Sequence, residues 1–434
     1  MKNYFFQNLC SELTESEIRK IAIETGFVKR VPKKIKPEHY LSHLCLEAIK
    51  GTVSYNDLAT KHAIENNCDA SRQAYFYRTK KETVGFFKRI LAYIMSKKNN
   101  LSIVSEYKIK FDRIIIQDST IIKLPMKLFG IFKGSKNQIK SVCNARIQGV
   151  FDLISGKFIS FSIDPYSVND QKATQQIEVQ ENDLVLRDRG YFVIKSIMDI
   201  KRNGADIISR YKHKTKFYDP KTGKEINLLD KLKLLGKLDI IVLIGENKKF
   251  KLRLIAAPIR EEVANLRRMK AKKDSRANPS HELLKLLSWN IFITTIEDNN
   301  FSFKEIYILY SLRWRIECIF KTWKSNFNLN KIHNVSNNQL LIMLYARFIM
   351  ITLLYEKLYF PIEKFILVSF KKHLSLIKFM QFINRNLADF IELYFNINTF
   401  DKAISIVLKY CSFDSRNRFN YNEIYYTIKL ACAF

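Results

Sequence analysis

The spacing of apolar residues divides this chain into three parts. Over the first hundred residues the apolar positions follow a helical period, with many basic residues between them. Near residue 110 the pattern changes to short β-branched runs such as Arg113–Ile116. The pair Ala145–Leu153 and Lys157–Ile163 then predicts a hairpin around Ser155 and Gly156. The last hundred residues alternate apolar helices with basic turns. These patterns predict an α/β fold, α+β overall, with a mixed sheet core flanked by helical N- and C-terminal regions.

The middle of the chain contains further predicted elements. In order, they are a strand at Leu184–Leu186, a helix at Ile194–Arg202, strands at Asp206–Ser209, Leu238–Ile244 and Lys251–Ala257, a basic helix at Glu261–Arg276 and a strand at Trp289–Thr295. This order predicts four regions. They are a helical, basic region 1–105, a core formed by 106–210 and 288–335, a β-rich insertion with a basic helix at 211–287, and a helical region 336–434.

Two short helices are predicted at Tyr55–His62 and Ala70–Arg78, with a polar turn between them. This spacing is similar to a helix-turn-helix, whose second helix enters a DNA groove. Arg72, Gln73 and Arg78 on the second helix are then the candidate DNA contacts. The alternative is an ordinary helical hairpin with a basic outer face, and the sequence leaves both interpretations open.

The charge of the chain indicates a polyanionic partner. The sequence has 73 Lys and Arg against 42 Asp and Glu, which gives a formal net charge of +31. A compact chain with this charge repels itself, and nucleic acid relieves the repulsion because each phosphate contact releases counterions. A Lys-rich and Ile-rich genome would produce part of the same excess without any functional reason. Nucleic acid is the favoured partner.

Neither a cysteine-based metal site nor a membrane span is predicted. The 7 cysteines are scattered and none forms a C-x-x-C pair, which favours reduced thiols in a cytosolic protein. The N-terminus lacks the long apolar core of a signal peptide. The longest apolar run, Leu340–Tyr355, is short for a membrane span and carries Arg347 at its middle. We expect this run to be a buried helix.

Residues 310–324, Y-S-L-R-W-R-I-E-C-I-F-K-T-W-K, place one acid among several bases. On a single helix the polar side chains would share one narrow stripe, formed by Tyr310, Arg313, Glu317, Lys321 and Lys324. The simplest interpretation is a surface helix with i,i+4 salt bridges, each of which contributes about 0.3–0.5 kcal/mol. Trp314 and Trp323 are predicted to be packing residues.

Two aspartates elsewhere change this interpretation. Asp118 comes just after the strand Arg113–Ile116, and Asp188 comes just after Leu184–Leu186. An acid at the end of a buried strand usually caps a turn or holds a metal. A strand-end Asp, a hairpin, a second strand-end Asp and then Glu317 on a later helix is the order of an RNase H-like metal site. Three carboxylates in that arrangement can hold two Mg²⁺ ions for phosphoryl transfer.

The spacing Tyr310-x-x-Arg313-x-x-x-Glu317-x6-Lys324 resembles the Y-R-E-K signature of bacterial DDE transposases of the IS-four family. The sequences D-S-T at 118–120 and D-R-G-Y at 188–191 are similar to the family's blocks around its first and second catalytic aspartates. The resemblance covers roughly residues 70–335, which is most of the chain.

The resemblance implies a DNA transposase with an RNase H-like core, interrupted by a β-rich insertion between the second Asp and the Glu. Asp118, Asp188 and Glu317 would be catalytic and would bind two Mg²⁺ ions, with Mn²⁺ expected to substitute. The residues expected to grip DNA phosphates are Tyr310, Arg313, Lys321 and Lys324. The implied partners are double-stranded DNA, as terminal inverted repeats and target, and a second copy of the chain in a synaptic homodimer. We expect a cytoplasmic, nucleoid-associated protein with no membrane contact.

The family also implies a hairpin intermediate in which a flipped base stacks on an aromatic ring. Trp289 lies 21 residues before Tyr310, at the position of the family's stacking tryptophan. Base–aromatic stacking contributes about 1–3 kcal/mol, which makes this role physically reasonable. The alternative for Trp289 is a core residue that begins a strand.

Two other functions fit part of the same pattern. One is an RNase H-like nuclease that lacks strand transfer. The other is a catalytically silent DNA-binding regulator of transposition. The presence of all three acids and all four phosphate-binding candidates favours an active transposase. Inverted repeats that flank the coding sequence would mark a mobile element.

Overall fold

The N-terminal part of the molecule is helical, as predicted. The structure is a computed structural model that describes residues 8–30, 32–97, 111–136, 141–173, 177–245, 250–274, 278–298 and 301–413. The first helices are α1 (Glu15–Glu24), α2 (Pro37–Ala48), α3 (Tyr55–Asn66), α4 (Arg72–Phe76) and α5 (Lys81–Ser96). Thr14, Ser54 and Ser71 cap three of them, because each hydroxyl accepts a hydrogen bond from the backbone N–H three residues later.

The described residues form one sheet of nine strands. They are β1 (Arg113–Lys123), β2 (Lys133–Lys136), β3 (Ser141–Asp152), β4 (Lys157–Pro165), β5 (Asp183–Arg187), β6 (Asp206–Arg210), β7 (Leu238–Ile244), β8 (Phe250–Pro258) and β9 (Trp289–Thr294). β2 and β4 both pair with β3, and the order continues β1, β5, β6, β9, β8 and β7. β1, β5 and β6 are parallel, and the other pairs are antiparallel. An antiparallel β1–β3–β4 unit joined to parallel β5 and β6 is an RNase H-like arrangement, so the predicted fold class is confirmed.

Helices cover both faces of the sheet because its central strands are apolar on both sides. Leu184 and Leu186 of β5 belong to the same buried cluster as α5 and the later helices, whereas Val185 belongs to a cluster on the opposite face. The remaining helices are α6 (Asp170–Ala173), α7 (Ile194–Arg202), α8 (Leu228–Leu235), α9 (Glu261–Lys273), α10 (His281–Leu286), α11 (Phe303–Ser311), α12 (Trp314–Asn326), α13 (Asn337–Leu354), α14 (Phe360–Phe370), α15 (Leu376–Phe395) and α16 (Phe400–Cys411).

The segment 211–287 carries two strands, β7 and β8, and they continue the main sheet. β8 pairs with β9 over Arg253–Pro258, and β9 pairs with β6. The basic helix predicted at Glu261–Arg276 is α9, which ends at Lys273, and residues 275–277 lie outside the described part. β9 therefore joins the strands of this segment to the core strands.

The apolar run at Leu340–Tyr355 is a buried core helix, as predicted. The continuous helical segment Asn337–Phe370 is long and apolar enough to cross a membrane, but 78% of its most apolar window is buried inside the protein. Arg347 lies in the middle of α13 and is 0% exposed. Its Nε donates to the carbonyl oxygen of Ala48 at 2.8 Å and its Nη2 to that of Gly51 at 2.6 Å, whereas its Nη1 has no hydrogen-bond partner among the described residues. The N- and C-terminal helices are thus joined at this buried arginine.

Candidate functional site

Asp118 lies in the middle of β1, and not at a strand end as predicted. β1 continues to Lys123 against β3, where Asp118 pairs with Gly149. The parallel ladder with β5, however, stops at Gln117 opposite Arg187. Asp118 therefore lies one residue beyond the end of its parallel neighbour. Its side chain faces the α12 side of the sheet, because Ile114 and Ile116 at the alternate positions pack there.

Asp188 follows β5 directly, as predicted. The chain then turns through a short 3₁₀ helix at Arg189–Tyr191. The parallel ladder ends at Gln117 and Arg187, so Asp118 and Asp188, the next residue on each chain segment, lie together at the carboxyl edge of the parallel strands. The hydroxyl of Tyr310 on α11 donates to Asp188 Oδ1 at 3.4 Å, so this helix also reaches the edge. Burial raises the pKa of Tyr310 to about 12, and the hydroxyl therefore keeps the proton that it donates.

The stretch predicted as one helix over residues 310–324 is two helices joined by a tight turn. α11 ends at Ser311 and α12 begins at Trp314. Around the junction the N–H groups of Leu312 and Arg313 bond to carbonyls three residues back, in place of the four-residue spacing of an α-helix. The stripe predicted for a single helix is thus divided, with Tyr310 on α11, Arg313 in the turn, and Glu317, Lys321 and Lys324 on α12.

Arg313 bridges two of the three predicted acids. Its Nη1 donates to Asp118 Oδ2 at 3.2 Å, and its Nη2 donates to Glu317 Oε1 at 2.5 Å. The i,i+4 ion pair between Arg313 and Glu317 expected from the sequence is therefore present. Among the described residues, the structure has no ion pair between Glu317 and Lys321. Glu317 is thus held toward Asp118 across the gap between α12 and β1.

A cleft of about 510 Å³ opens beside these acids. Its lining includes the acids Asp118 and Glu317 together with Lys321, Lys324 and Asn330. Neither lysine forms an ion pair within the part of the chain that the structure describes. Burial lowers the pKa of Lys324, which means that water does not fully solvate its charge. Two cations without acidic partners make this cleft suitable for an anionic ligand.

Glycine at position 149 allows α12 to pack directly on the strands below it. A Cβ atom at Gly149 would lie 3.0 Å from Phe320 Cζ and 3.9 Å from Ile316 Cδ1. Contacts near 3.0 Å are too short for carbon atoms at rest, since the optimum is about 3.5–4.0 Å. Gly149 pairs with Asp118 across the β1–β3 ladder. The distance from α12, and so from Glu317, to Asp118 therefore depends on this glycine.

The three acids form an excess of negative charge. Burial raises the pKa of Asp118 to about 7; Arg313 and the Ser119 N–H oppose this rise, and Glu317 and Asp188 add to it. Burial and the two neighbouring carboxylates therefore outweigh the single arginine.

The donor set fits a divalent metal chemically. Carboxylate oxygens are the ligands that Mg²⁺ and Mn²⁺ prefer, and the excess negative charge at Asp118 is what such an ion would compensate. Within the described ranges, no group of three His, Cys, Asp or Glu side chains is arranged to hold a metal ion directly. Arg313 lies between Asp118 and Glu317 instead. The residues suit a cation, provided that the arginine moves away.

The side chain of Trp289 already makes a hydrogen bond within the protein. It begins β9, is half-buried, and its Nε1 donates to the carbonyl oxygen of Gly236 at 2.9 Å. This contact ties the start of β9 to the end of α8. The core interpretation of Trp289 thus has a specific contact in its favour, and the stacking role stays a prediction.

The second helix of the predicted helix-turn-helix is shorter than expected. α4 spans Arg72–Phe76, and Arg78 lies beyond its end. Arg78 Nη1 donates to the carbonyl oxygen of Ala74 at 2.6 Å, and burial lowers the pKa of Arg78. Its guanidinium therefore caps its own helix, and its contact with a DNA groove stays a prediction. Arg72 and Gln73 are exposed, so their DNA contacts stay a prediction.

The two tryptophans of the 310–324 stretch differ. Trp323 is 2% exposed and packs among aromatic rings, as predicted. Trp314 is 58% exposed, so the prediction that it packs in the core is wrong. The two residues are nine positions apart in α12, which is about 180° around a helix, so they lie on opposite faces and only Trp323 packs against the core.

Asp170 is a residue next to the site that sequence reasoning missed. Its Oδ1 accepts hydrogen bonds from Ser119 Oγ at 2.8 Å, Arg146 Nη1 at 2.8 Å and Gln148 Nε2 at 3.1 Å. Ser119 is the immediate neighbour of Asp118, so this network fixes the strand beside it. Asp170 does not directly follow an apolar strand, as Asp118 and Asp188 do, so no local pattern in the sequence indicated its role.

Comparison with known proteins shows which family this chain matches. Residues 109–353 match the model of a family described as transposase DDE domain. The transposase for insertion sequence element IS1151 of Clostridium perfringens is 28% identical over 401 residues, which cover 86% of this chain and 84% of that protein. The transposase for IS231B of Bacillus thuringiensis subsp. berliner is 28% identical over 397 residues, with coverage of 86% and 83%. A piggyBac transposase synaptic complex with hairpin DNA overlays at 8% identity and a TM-score of 0.47, covering 99% of this chain and 84% of that one.

Proposed function

We propose a chemical arrangement for this chain, which belongs to the transposase DDE domain family and is a DNA transposase. In this proposal Asp118, Asp188 and Glu317 are the catalytic carboxylates and hold divalent cations beside the DNA phosphate that is cleaved. The supporting observation is the convergence of β1, the end of β5 and α12 on one edge, with Arg313 joining Asp118 to Glu317. Mg²⁺ is the proposed ion, with Mn²⁺ as a substitute. When bound, two such ions activate water or a 3′-OH and stabilise the leaving oxygen.

The side chains of the cleft would position the DNA strand. Lys321 and Lys324 line the same cleft as Asp118 and have no acidic partner among the described residues, so they would bind the phosphates that flank the cleaved bond. Tyr310 would orient Asp188 through its hydroxyl. The buried wall formed by Phe320 would exclude water from one side of the reacting phosphate.

Strand transfer with the native element ends tests this function. The full-length protein is incubated with labelled end DNA, a supercoiled target and Mg²⁺, and joined products are resolved on a gel. We expect cleavage at the element end and joining of its 3′-OH to the target, with neither product in excess chelator. Ends with a scrambled terminal sequence are the matched control. Cleavage without any joined product would favour the nuclease, and end binding without cleavage would favour the silent regulator.

We also propose that cleavage proceeds through a DNA hairpin in which a flipped base stacks on Trp289. Trp289 is half-buried, so part of the residue is exposed, and its N–H bond to Gly236 would hold the ring in place. Trp289→Ala should reduce hairpin formation by about 5–150-fold, which corresponds to 1–3 kcal/mol of stacking, and should affect the first nick less. Trp289→Phe keeps a stacking surface but loses the hydrogen bond, and should retain most hairpin formation. A denaturing gel separates the two products.

A melting curve of each Trp289 variant completes this test. Equal loss of nicking and hairpin formation, together with a lowered melting temperature, would assign Trp289 to the core instead. A hairpin defect in a variant with unchanged melting temperature would support stacking.

The helical parts of the chain have proposed roles of a different kind. We propose that the N-terminal helices bind the terminal repeats, with the exposed Arg72 and Gln73 on α4 as candidate contacts. The region 336–434 is proposed to bring two copies together, since both element ends must meet before strand transfer. The chain would act in the bacterial cytoplasm, in association with the nucleoid.

A further inference from the structure

Arg313 occupies the space between two of the proposed metal ligands. Its two terminal nitrogens donate to Asp118 at 3.2 Å and to Glu317 at 2.5 Å, and 14% of its side chain is exposed. A guanidinium that binds two carboxylates at once lies where a cation would bridge them. While both contacts persist, Asp118 and Glu317 are not free to share a metal ion.

The contacts of Arg313 with the two acids do not satisfy all of its nitrogen atoms. Arg313 Nε is buried and has no hydrogen-bond partner within the described ranges of the chain. A buried N–H without a partner is unfavourable, and more so on a charged group. The single positive charge of Arg313 is also insufficient for Asp118, Glu317 and the nearby Asp188 together. Both the guanidinium of Arg313 and the carboxylates would therefore gain by exchanging each other for partners that satisfy them more fully.

A DNA phosphate is a suitable new partner for Arg313. Guanidinium binds the free oxygens of a phosphate in a two-pronged geometry, and it does so more strongly than it binds single carboxylate oxygens. Lys321 and Lys324 line the same cleft and would bring a phosphate close. Arg313 lies in the turn between α11 and α12, and its guanidinium carbon is 5.6 Å from the centre of the Tyr310 ring. The ring offers a surface along which the guanidinium can move.

We propose that Arg313 couples divalent cation binding to DNA binding: in the free protein it holds Asp118 and Glu317 together, and a DNA phosphate that takes up its guanidinium releases both carboxylates for the metal. This inference rests on the proposed function, because it takes these carboxylates to be metal ligands. Each ligand then tightens the binding of the other by the same factor. The site then binds its cations more tightly when DNA is present to be cut.

Mn²⁺ binding to the full chain without DNA tests the first half of this coupling. The free ion is counted by electron paramagnetic resonance at about pH 8, where Asp118 is ionised. Arg313→Gln should bind Mn²⁺ about tenfold more tightly than the wild type, because the carboxylates are already free. Lys321→Gln is the matched control, since it removes one charge from the same cleft without freeing a carboxylate. It should change the affinity by no more than about threefold.

Several outcomes would overturn the coupling. Arg313→Gln could bind no more tightly than the wild type, or Lys321→Gln could gain as much. Arg313→Lys keeps the charge but is too short to span both acids, so an intermediate affinity supports the coupling if Arg313→Gln fails to fold. A wild-type affinity in Arg313→Lys would contradict it. Asp118→Asn separates the two proposals: if it binds Mn²⁺ as well as the wild type, the metal site itself fails.

The second half of the coupling is tested with a short DNA duplex as the probe. Duplex should tighten Mn²⁺ binding about tenfold in the wild type and leave Arg313→Gln unchanged, because that variant has no arginine to displace. An equal effect of DNA on both proteins would contradict the proposal. If Asp118→Asn loses Mn²⁺ binding while Arg313→Gln gains no affinity, the proposed function is retained and only the coupling is ruled out.

Discussion

Asp118→Asn should abolish cleavage of element-end DNA, with a loss of about a thousandfold or more, while DNA binding is retained. Asn keeps the shape of the side chain and its place opposite Gly149 on the sheet. It loses the charge that would hold a cation and the acceptor that Arg313 now uses. The phosphate contacts proposed for Lys321 and Lys324 are untouched, so the affinity for DNA has no reason to fall.

A gel assay with labelled end DNA and Mg²⁺ measures both properties of this variant. Asp199→Asn is the matched control, because Asp199 is a surface acid on α7 with 45% of its side chain exposed. Full cleavage by Asp118→Asn would remove Asp118 from the proposed catalytic set. Loss of binding together with cleavage would indicate a folding defect, which the stability of the variant reveals independently.

The same variant should be more stable than the wild type at high pH. Burial raises the pKa of Asp118 to about 7 in the folded protein, above an unfolded value of about 3.9. Between these values the folded state binds more protons than the unfolded state, so the free energy of unfolding of the wild type falls as the pH rises from about 4 to 7. Asn does not titrate. We expect Asp118→Asn to exceed the wild type by about 1–2 kcal/mol at pH 8 and by nothing near pH 4, as measured by urea unfolding.

The residue types of the candidate site could be predicted from the sequence because they depend on local patterns. Asp188 ends an apolar run, and Glu317 has Arg313 and Lys321 at helical spacing. The order of the acids along the chain predicted an RNase H-like sheet, which the strand order confirms. The position of Asp118 within β1 was wrong because a strand's length depends on its neighbours. β3 extends the ladder to Lys123, and nothing local to Asp118 indicates that partner.

The contacts around the acids could not be predicted for a related reason. The tight turn at residues 312–313 is made by hydrogen-bond spacing that the sequence pattern does not specify, and it divides the predicted polar stripe between α11 and α12. Asp170 joins the strand beside the site through Ser119 and Arg146, which are 51 and 24 residues away from it in the chain. Arg78 donates a hydrogen bond to the carbonyl oxygen of Ala74 in its own helix. Each of these depends on tertiary distances.

Gly149→Val should reduce cleavage by about a hundredfold, through the distance between α12 and β1 and not through any lost chemical group. A Cβ at this position would already meet Phe320 Cζ at 3.0 Å, and the two further methyl groups of valine would meet the ring itself. α12 must then move outward, which carries Glu317 away from Asp118. We expect the free energy of unfolding to fall by about 1–3 kcal/mol, the usual cost of overpacking a core.

Phe320→Leu distinguishes this geometric effect from a general loss of stability. Leucine at position 320 removes the ring that the new side chain would strike, so the double variant Gly149→Val with Phe320→Leu should regain most of the lost cleavage. Gly149→Ala adds a single carbon and should fall between the wild type and Gly149→Val. Cleavage rates are measured in Mg²⁺ with each protein confirmed as folded by its melting curve. A double variant that is as inactive as Gly149→Val, but melts at the wild-type temperature, would show that the spacing of α12 from β1 does not control the reaction.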